Sequence, residues 1–242
     1  MKKQKPIILA YIPARGGSKR IPGKNFKKFV NKPLIAHAVE QALSWPHTDR
    51  LIVDTDSPKI AKIAKKYGAE VPFLRPAELA QDKSMAIDTI LYTLNRLEKE
   101  QNYKPTHLLM LQATSPLREL KDIDACWKMM KETDATTVLT VCSTHPRLYH
   151  MNDKNDIILV NGHEGMSTNM QAWSPAYLLN GCFVYIIDIA TLKKERRVIT
   201  TKTKAVVCPK WRSIDLDTPE EWVMAEILYR NKKKLEKEIK SI

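Results

Sequence analysis

The chain has 242 residues, of which 43% are hydrophobic and 28% are charged, and its formal net charge is +13. These proportions are typical of a soluble globular protein, and no run approaches the ~20 apolar residues that a membrane helix needs. The positive charge favours anionic partners such as nucleotides, nucleic acid or anionic sugars. Because only 7% of the residues are aromatic and no RNP-like run is present, we do not expect nucleic acid as the partner. Because no apolar run is long enough to cross a bilayer, we do not expect a membrane either.

The first residues and the cysteines bear on location. Residues 1–5 are mostly charged, and the apolar run of about six residues behind them passes straight into a loop of glycines and cations, unlike a signal peptide. We therefore expect a cytoplasmic protein. The cysteines form no Cys-x-x-Cys pair, which argues against a zinc ribbon or a disulfide framework. They are predicted to be free thiols in the core: Cys126, Cys142, Cys182 and Cys208.

A basic loop with glycines follows the first predicted strand. Ile7–Ile12 is typical of a buried strand, and it leads into residues 13–25, which contain three of the seven glycines, namely Gly16, Gly17 and Gly23. Glycine allows backbone angles and close approaches that other residues resist, so the loop is predicted to hold a triphosphate. The alternative is a solvated basic turn. The spacing of the glycines fits neither a P-loop nor a dinucleotide-binding turn. The positive charge of the loop comes from Arg15, Lys19, Arg20 and Lys24.

Strand-like and helix-like segments alternate over the first 140 residues. Further strands are predicted at Leu51–Asp54, Val71–Leu74, His107–Leu111 and Val138–Val141. Helices are predicted at Pro33–Leu43, Lys59–Tyr67, Met85–Glu100 and Asp122–Lys131. This order predicts an α/β fold with a doubly wound, mainly parallel sheet, whose ligands bind beyond the carboxyl ends of the strands. The basic loop, residues 54–56 and the turn at Gln112 would lie on that edge.

The alternation stops at about residue 145. From there to about residue 178 the sequence is rich in Asn, Asp, Gly, His and Pro, with one short apolar run, Ile157–Val160. The segment is too long for an ordinary loop, so we predict a small inserted lobe that bears a hairpin and packs against a second subunit. The core resumes with strands at Cys182–Ile187 and Ala205–Cys208 and a helix from Pro219. We predict a single domain, 1–242, with an insertion at about 145–178.

Two pairs of aspartates are candidate metal ligands. Asp215 and Asp217 are two residues apart, and in an extended stretch such residues project to the same side, so they can converge on one Mg²⁺. The alternative is that Asp217 or Thr218 only caps the terminal helix, although the two roles can coexist. Asp54 and Asp56 form a second-choice pair, because Thr-Asp-Ser-Pro is ordinary helix-entry sequence.

Together these residues resemble the acylneuraminate cytidylyltransferases, the CMP-sialic acid and CMP-legionaminic acid synthetases that activate nine-carbon acidic sugars. The resemblance covers Ile7 to about Arg118 and returns at 180–181 and 213–218. Its most specific parts are residues 14–19 with Pro22, Lys24 and Asn25; Arg75–Ala80; Gln112 with Thr114–Arg118; and Asp215–Thr218. It implies a nucleotide-diphospho-sugar transferase-like, Rossmann-like fold with a small dimerisation lobe, and a homodimer.

The resemblance also implies roles for individual residues. The nucleotide would contact Ala14, Arg15, Gly16, Gly17, Ser18, Lys19, Asn25, Arg75 and Ser84. Catalytic assistance to displacement of the triphosphate would come from Lys24, with Arg15 and Lys19. The sugar would meet Gln112, Asn180 and Tyr185, and the Mg²⁺ cofactor would bind Asp215 and Asp217. Arginine forks match phosphate oxygens, and amides orient sugar hydroxyls, so these residue types suit these roles.

The chain departs from the family pattern at three places. Ser84 is the hydroxyl side chain retained where the sialic acid enzymes usually have several serines or threonines. Ala113 replaces a common proline. Tyr185 comes one residue later than usual, and on a strand one step reverses the facing side, which weakens its assignment to the sugar. The identity of the sugar is therefore left open.

The expected reaction is nucleotidyl transfer, in which the anomeric hydroxyl of a 2-keto nonulosonic acid attacks the α-phosphorus of CTP and pyrophosphate leaves. No convincing Ser/His/Asp or Cys/His constellation is present, and His37 lies in an apolar helical pattern typical of a packed residue. Alternatives are the same chemistry on pseudaminic or 3-deoxy-octulosonic acid, or a non-catalytic nucleotide-binding or RNA-binding protein.

Overall fold

The computed structural model describes residues 5–160 and 173–241. Its strands are β1 (Ile8–Pro13), β2 (Lys28–Phe29), β3 (Lys32–Pro33), β4 (Arg50–Asp54), β5 (His107–Met110), β6 (Thr137–Thr144), β7 (Tyr149–Met151), β8 (Ile157–Leu159), β9 (Ala176–Leu179), β10 (Tyr185–Asp188) and β11 (Thr203–Val207). Its helices are α1 (Leu34–Ser44), α2 (Pro58–Lys66), α3 (Ala86–Gln101), α4 (Leu120–Glu132), α5 (Ile189–Glu195) and α6 (Pro219–Ser241). Helices α1 to α4 confirm the four predicted from the sequence, with ends displaced by one or two residues.

A mainly parallel sheet lies at the centre, in the strand order β11–β6–β10–β5–β1–β4, with β9 also paired to β6. Strand β1 is parallel to both of its neighbours, so Leu9 lies opposite Arg50 on β4 and Leu108 on β5. Strands β9 and β10 run antiparallel to the strands beside them. The carboxyl ends of β1, β4 and β5 therefore meet at one edge, where such sheets bind their ligands.

Helices cover both faces of this sheet, as the strand β1 makes plain. Ile8, Ala10 and Ile12 face a cluster that contains residues of α1, α2, α4 and α6. Leu9 and Tyr11 face the opposite cluster, with residues of α3 and α5. The period of two along the strand produces this division, and it confirms the doubly wound arrangement. The four cysteines are free and buried, and among the described helices none is long and apolar enough to span a bilayer.

Helix α2 shows how local sequence sets the elements beside the site. The Ser57 side chain accepts a hydrogen bond from the Ile60 amide at 3.4 Å, and Pro58 occupies the first turn. Gly68, with φ of +97°, follows the end of the helix. Because Ser57 is the cap, Asp56 is left available for another contact.

The predicted strand at Val71–Leu74 is wrong. Only Glu70 pairs here, in a single bridge to Ile52, with the Glu70 amide donating to the Leu51 carbonyl at 2.9 Å. Pro72 has no amide hydrogen, so the pairing cannot continue along this segment. The chain instead turns across the edge of the sheet.

The predicted strand at Cys182–Ile187 begins three residues late, at Tyr185. Residues 180–184 are irregular and lie opposite Thr140 between the ladders of β9 and β10. The Thr140 amide donates to the Val184 carbonyl at 3.1 Å, and its hydroxyl donates to Asn180 Oδ1 at 3.0 Å. One β6 residue thus faces a bulged segment, which is directed toward the strand ends rather than along the sheet.

The predicted insertion contains the hairpin β7–β8, in which Tyr149 lies opposite Leu159. Strand β9 then returns to the main sheet, with Leu179 opposite Val141. Residues 161–172 of the predicted lobe lie outside the described residues. Large apolar side chains are exposed on the hairpin and on β9: Tyr149, Met151, Ile157, Ile158, Val160, Tyr177, Leu178 and Leu179. Packing of this lobe against a second subunit stays a prediction.

Candidate functional site

A cavity of about 550 Å³ lies beyond the carboxyl ends of β1 and β5. Its walls come from the basic loop, from the turn after β5 and from the segment that precedes α6. The lining residues are Pro13, Arg15, Ser18, Lys19, Arg20, Ile21, Lys24, Asn25, Asp82, Gln112, Ala113, Thr114, Asp215 and Asp217. Cations near the start of the chain and carboxylates near its end therefore face one space, as the predicted reaction requires.

The basic loop is held by its own backbone and by residues that follow β4. The Ala14 amide donates to the Asp54 carbonyl at 2.9 Å, and the Gly16 amide donates to Asp56 Oδ1 at 2.8 Å. A Cβ on Gly16 would lie 3.1 Å from the Ser57 Cβ, so the loop needs the close approach that glycine allows. Gly17 is exposed and has open space around its Cα.

Two further residues fix the far end of the loop. Buried Asn25 donates from Nδ2 to the Arg15 carbonyl at 3.0 Å, so its amide shapes the loop. Gly23 has φ of +68°, and a Cβ there would meet the Phe26 ring at 2.5 Å. Glycine is therefore required at this position both by the backbone angle and by space.

Each of two carboxylates bridges two of the cavity cations. Asp82 accepts from Arg15 Nη1 at 2.8 Å and also pairs with Lys19. The hydrogen bonds from Lys19 and then Arg15 lower the pKa of Asp82, which remains charged. No local sequence pattern indicates this role of Asp82, because its partners Arg15 and Lys19 are 67 and 63 residues away along the chain.

Asp217 is the second bridging carboxylate. It lies 3.0 Å from both Arg20 Nη1 and Lys24 Nζ. The Lys24 side chain is only 14% exposed, and its ammonium also donates to the Leu216 carbonyl at 2.6 Å. Lys24 is therefore the best fixed of the cavity cations, whereas the Lys19 side chain is 76% exposed.

Helix α6 is capped by Thr218, which leaves the Asp217 carboxylate free for the cavity. The Glu221 amide donates to the Thr218 hydroxyl at 3.3 Å, and the Thr218 amide donates to Glu221 Oε2 at 2.8 Å. This reciprocal pair is a capping box. The capping role predicted for Asp217 or Thr218 therefore belongs to Thr218, and the metal-binding role of Asp217 stays a prediction.

Asp215 is half-buried beside Asp217. Desolvation raises its pKa, although a hydrogen bond from Thr114 acts the other way. A Cβ on Gly181 would lie 2.6 Å from Asp215 Oδ2, so the bulged segment packs directly on this carboxylate. Its Oδ1 is buried and has no hydrogen-bond partner. An acceptor oxygen without a donor suits a cation, so the pair Asp215 and Asp217 fits a divalent metal.

The segment from Asp215 to Asp217 was predicted to be extended, but the structure shows a turn there. The Asp217 amide donates to the Asp215 carbonyl at 2.9 Å, which closes a three-residue turn. Across the described residues no cluster of three or more His, Cys, Asp or Glu side chains is arranged to hold a metal. Two aspartates by themselves would supply only part of the oxygen ligands that a divalent metal takes.

The residues predicted for the sugar are not all at the cavity. Gln112 lines it, and its Oε1 accepts from the Cys182 amide at 3.4 Å. Asn180 is buried outside the lining, with its amide donating to the Ser213 hydroxyl at 3.1 Å. Tyr185 packs in the cluster that contains Leu9, and burial raises its pKa to about 12. A one-residue shift of Tyr185 was expected to turn its side chain to the other face of a strand. That expectation does not hold, because residues 180–184 are not a strand.

The two residues outside the basic loop that were predicted to contact the nucleotide, Arg75 and Ser84, also lie away from the lining, as do Ala14, Gly16 and Gly17 within the loop. Arg75 is buried in an ion pair with Asp54, at 2.9 Å from Nε and 2.6 Å from Nη2. The Tyr11 hydroxyl donates to the same carboxylate. Ser84 donates to the Glu78 carbonyl at 2.9 Å. The second-choice acidic pair therefore has structural partners, since Asp54 binds Arg75 and Tyr11 while Asp56 binds the basic loop.

Comparison with known proteins agrees with this geometry. The sequence model that describes cytidylyltransferases matches residues 9–173. This chain belongs to the cytidylyltransferase family. It is 34% identical over 224 residues to the CMP-N,N'-diacetyllegionaminic acid synthase of Legionella pneumophila, covering 91% of this chain and 95% of that protein. It is 29% identical to a pseudaminic acid cytidylyltransferase of Campylobacter jejuni, covering 92% and 96%.

A third relative of this cytidylyltransferase is the N-acylneuraminate cytidylyltransferase of Streptococcus agalactiae, 30% identical over 225 residues, 90% of this chain but 52% of the longer relative. Among solved structures, a CMP:2-keto-3-deoxy-manno-octonic acid synthetase complexed with CTP superposes with a TM-score of 0.68 at 17% identity, covering 93% of this chain and 99% of that one. A 4-diphosphocytidyl-2C-methyl-D-erythritol synthase of Anaerococcus prevotii gives 0.63 at 12% identity, covering 94% and 100%. These likenesses confirm the predicted fold.

Proposed function

We propose that this cytidylyltransferase activates a nine-carbon 2-keto acidic sugar of the legionaminic or sialic acid type with CTP, giving the CMP-sugar and pyrophosphate. The relatives named above are synthases or transferases for such acids. The observation that carries the proposal is the single cavity that joins the basic loop, Gln112 and the two aspartates. Cations suit a triphosphate and a carboxylated sugar, and an amide suits sugar hydroxyls.

The reaction we propose is a direct displacement. The anomeric hydroxyl of the acid attacks the α-phosphorus of CTP and releases its proton to the solvent. The bond from the α-phosphorus to the bridging oxygen breaks, and pyrophosphate leaves with the electron pair. Arg15, Lys19 and Lys24 stabilise the charge that develops on the leaving group, because fixed cations favour the transition state over the ground state. Lys24 is the residue best placed for this, since it is held on both the Leu216 carbonyl and Asp217.

We also propose that Asp215 and Asp217 hold Mg²⁺, which would supply screening of the phosphate oxygens during transfer. In the structure Arg20 and Lys24 neutralise Asp217. The binding of a triphosphate gives both cations an alternative anionic partner, so Asp217 becomes available. Asp215, held against the backbone of Gly181, keeps its orientation throughout.

The proposal includes a homodimer formed through the hairpin β7–β8 and strand β9. These elements expose adjacent apolar side chains such as Met151, Ile157 and Leu179, and exposed apolar surface of this kind favours burial against another protein surface. A second copy is the proposed occupant. The free, buried cysteines suit the reducing conditions of the cytoplasm, where we place the reaction.

A pyrophosphate-release assay tests the proposed function. The protein is incubated with each of CTP, ATP, GTP and UTP against N,N'-diacetyllegionaminic, N-acetylneuraminic, pseudaminic and 3-deoxy-octulosonic acids. We expect release with CTP and a nine-carbon acid, abolished by EDTA and restored by Mg²⁺. No release with CTP and any of the acids, from protein that binds CTP, would contradict the proposal.

A further inference from the structure

Arg118 is a buried arginine whose hydrogen-bond acceptors are all neutral groups. It lies between β5 and α4 and is 2% exposed. Its Nη1 donates to the carbonyls of Phe183 at 2.5 Å and Gln112 at 3.3 Å. Its Nε donates to Gln41 Oε1 at 3.0 Å, and Gln41 Nε2 donates back to the Arg118 carbonyl at 2.7 Å. Within residues 5–160 and 173–241 no carboxylate forms an ion pair with it.

The other two buried arginines are arranged differently. Arg75 is paired with Asp54, and Arg212 is paired with Asp122 at 2.6 Å. Burying a guanidinium without a counterion is unfavourable, and burial lowers the pKa of Arg118 to about 10. An unfavourable group that the surrounding structure nevertheless fixes so closely calls for a functional explanation.

The carbonyls that Arg118 binds belong to two backbone segments beside the cavity. Gln112 lies in the turn that follows β5 and lines the cavity, while Phe183 lies in the bulged segment 180–184. The two segments also bind each other, because the Gln112 amide donates to the Cys182 carbonyl at 3.0 Å. Gly181 in turn packs on Asp215. Arg118 thus contacts Gln112 directly and Asp215 only through the segment 180–184, and it does not line the cavity itself.

The bulge explains why an arginine is needed there. Thr140 provides partners for Val184 and Asn180 at the two ends of the bulge. The Phe183 carbonyl, in the middle, is turned away from the ladder, and a buried carbonyl without a donor costs free energy. The guanidinium supplies that donor and reaches Gln112 with the same nitrogen, which a shorter neutral side chain would not do.

We propose that Arg118 is a positioning residue for the acidic-sugar side of the cavity, acting through Gln112 and the segment 180–184. The inference rests on the proposed function, in which Gln112 faces the sugar. The nucleotide cations belong to the basic loop, which Arg118 does not contact. Loss of Arg118 therefore acts on the sugar and leaves CTP binding largely unchanged.

The kinetic test compares Arg118→Met and Arg118→Lys with the natural chain, using CTP and whichever nine-carbon acid gives the fastest pyrophosphate release. For Arg118→Met we expect the KM for the acid to rise about tenfold, the effect of one lost positioning contact, and the KM for CTP to change less than about twofold. Arg118→Lys retains one donor group and should give an intermediate KM for the acid. Equal changes in both KM values, or none, would overturn the proposal.

Thr137→Val is the control for simple destabilisation. The Thr137 hydroxyl is buried and donates to the Val198 carbonyl at 2.9 Å, at the amino end of β6 and away from the cavity. We expect it to lower Tm without changing either KM. If Arg118→Met does not fold, Gln41→Leu replaces it, because Gln41 orients Arg118 through two hydrogen bonds and lies outside the cavity lining. It should raise the KM for the acid in the same direction.

A substrate-free measurement separates this inference from the proposed function. In hydrogen exchange followed by mass spectrometry, Arg118→Met or Gln41→Leu should accelerate exchange in peptides covering 110–114 and 180–185, and not in peptides from α3. If the natural chain releases no pyrophosphate with any acid, the proposed function fails, and this measurement still decides on Arg118. Unchanged exchange in both cavity peptides would refute the positioning role.

Discussion

The two walls of the cavity hold their charges in different ways. The exposed wall consists of Arg15, Lys19, Arg20 and Asp82. The opposite wall, called the buried wall because it is less exposed, consists of the half-buried residues Gln112, Thr114 and Asp215. Side chains of the exposed wall are held by solvent-exposed ion pairs, which contribute little to stability because water screens them. The buried wall is fixed by backbone contacts with the segment 180–184. The exposed wall can therefore exchange partners when a triphosphate arrives, while the buried wall is preorganised.

The largest effect is expected at Asp217, where the two walls meet. Asp217→Asn should reduce pyrophosphate release by about 10²-fold or more while the protein stays folded, because a preorganised charge is lost. Turnover at saturating Mg²⁺ and Tm are the measurements. Asp88→Asn is the control, since Asp88 pairs with Arg196 away from the cavity. Turnover near that of the natural chain would remove Asp217 from the mechanism.

Lys24→Ala should follow, with turnover reduced about 10²-fold through the loss of charge stabilisation on the leaving group. Its effect on Tm should be small beside this loss. Lys59→Ala serves for comparison, because Lys59 contacts the Phe26 ring next to the loop and does not line the cavity. Parallel losses of stability and activity in Lys24→Ala would indicate a purely structural role.

Gly181→Ala tests the buried wall. The new Cβ would lie 2.6 Å from Asp215 Oδ2, and the backbone has φ of +68°, so we expect turnover to fall about tenfold as Asp215 is displaced. Gly68→Ala is the matched control, because the backbone there also has a positive φ, +97°, while a Cβ would meet only Leu43, away from the cavity. Equal activity of the two variants would show that the buried wall is not rigid.

Asp82→Asn tests the exposed wall and, unlike the preceding variants, is expected to produce a gain. Removing the carboxylate frees Arg15 and Lys19, so pyrophosphate and CTP should bind several-fold tighter in calorimetry at low salt. The gain should shrink as salt is added, because exposed charges are screened. Weaker binding would instead make Asp82 a direct contributor to nucleotide recognition.

The smallest effect concerns the core beyond both walls. Burial lowers the pKa of His37 to about 4, below the unfolded value of about 6.5. The unfolded chain binds the proton more readily, so stability is complete above pH 6.5 and declines as the pH falls toward 4. In thermal melts, His37→Gln should flatten this decline and His150→Gln, at an exposed position, should not. If His37→Gln left the dependence of Tm on pH unchanged, His37 would not be the group responsible for it.

Much of this architecture follows from local sequence. Helices α1 to α4 were predicted within one or two residues of their ends, because apolar periodicity and caps act over a few positions. The packed His37 was also predicted, and its Nε2 lies 3.1 Å from the Phe29 carbonyl. Two predictions were wrong: the strand at Val71–Leu74 and the start of a strand at Cys182. An apolar run does not reveal whether a neighbouring strand is available to form hydrogen bonds with it.

The site divides in the same manner. The sequence determined that a basic loop with glycines and an acidic pair before a helix were the chemical parts, because residue type and spacing express those properties directly. Only the tertiary structure decided that Asp82 binds the loop, that Thr218 rather than Asp217 caps α6, and that Arg118 stands behind Gln112. Asp82 lies 67 and 63 positions from its partners Arg15 and Lys19, and Arg118 lies 65 positions from Phe183. The order of strands in the sheet, which no local pattern encodes, brings these residues together.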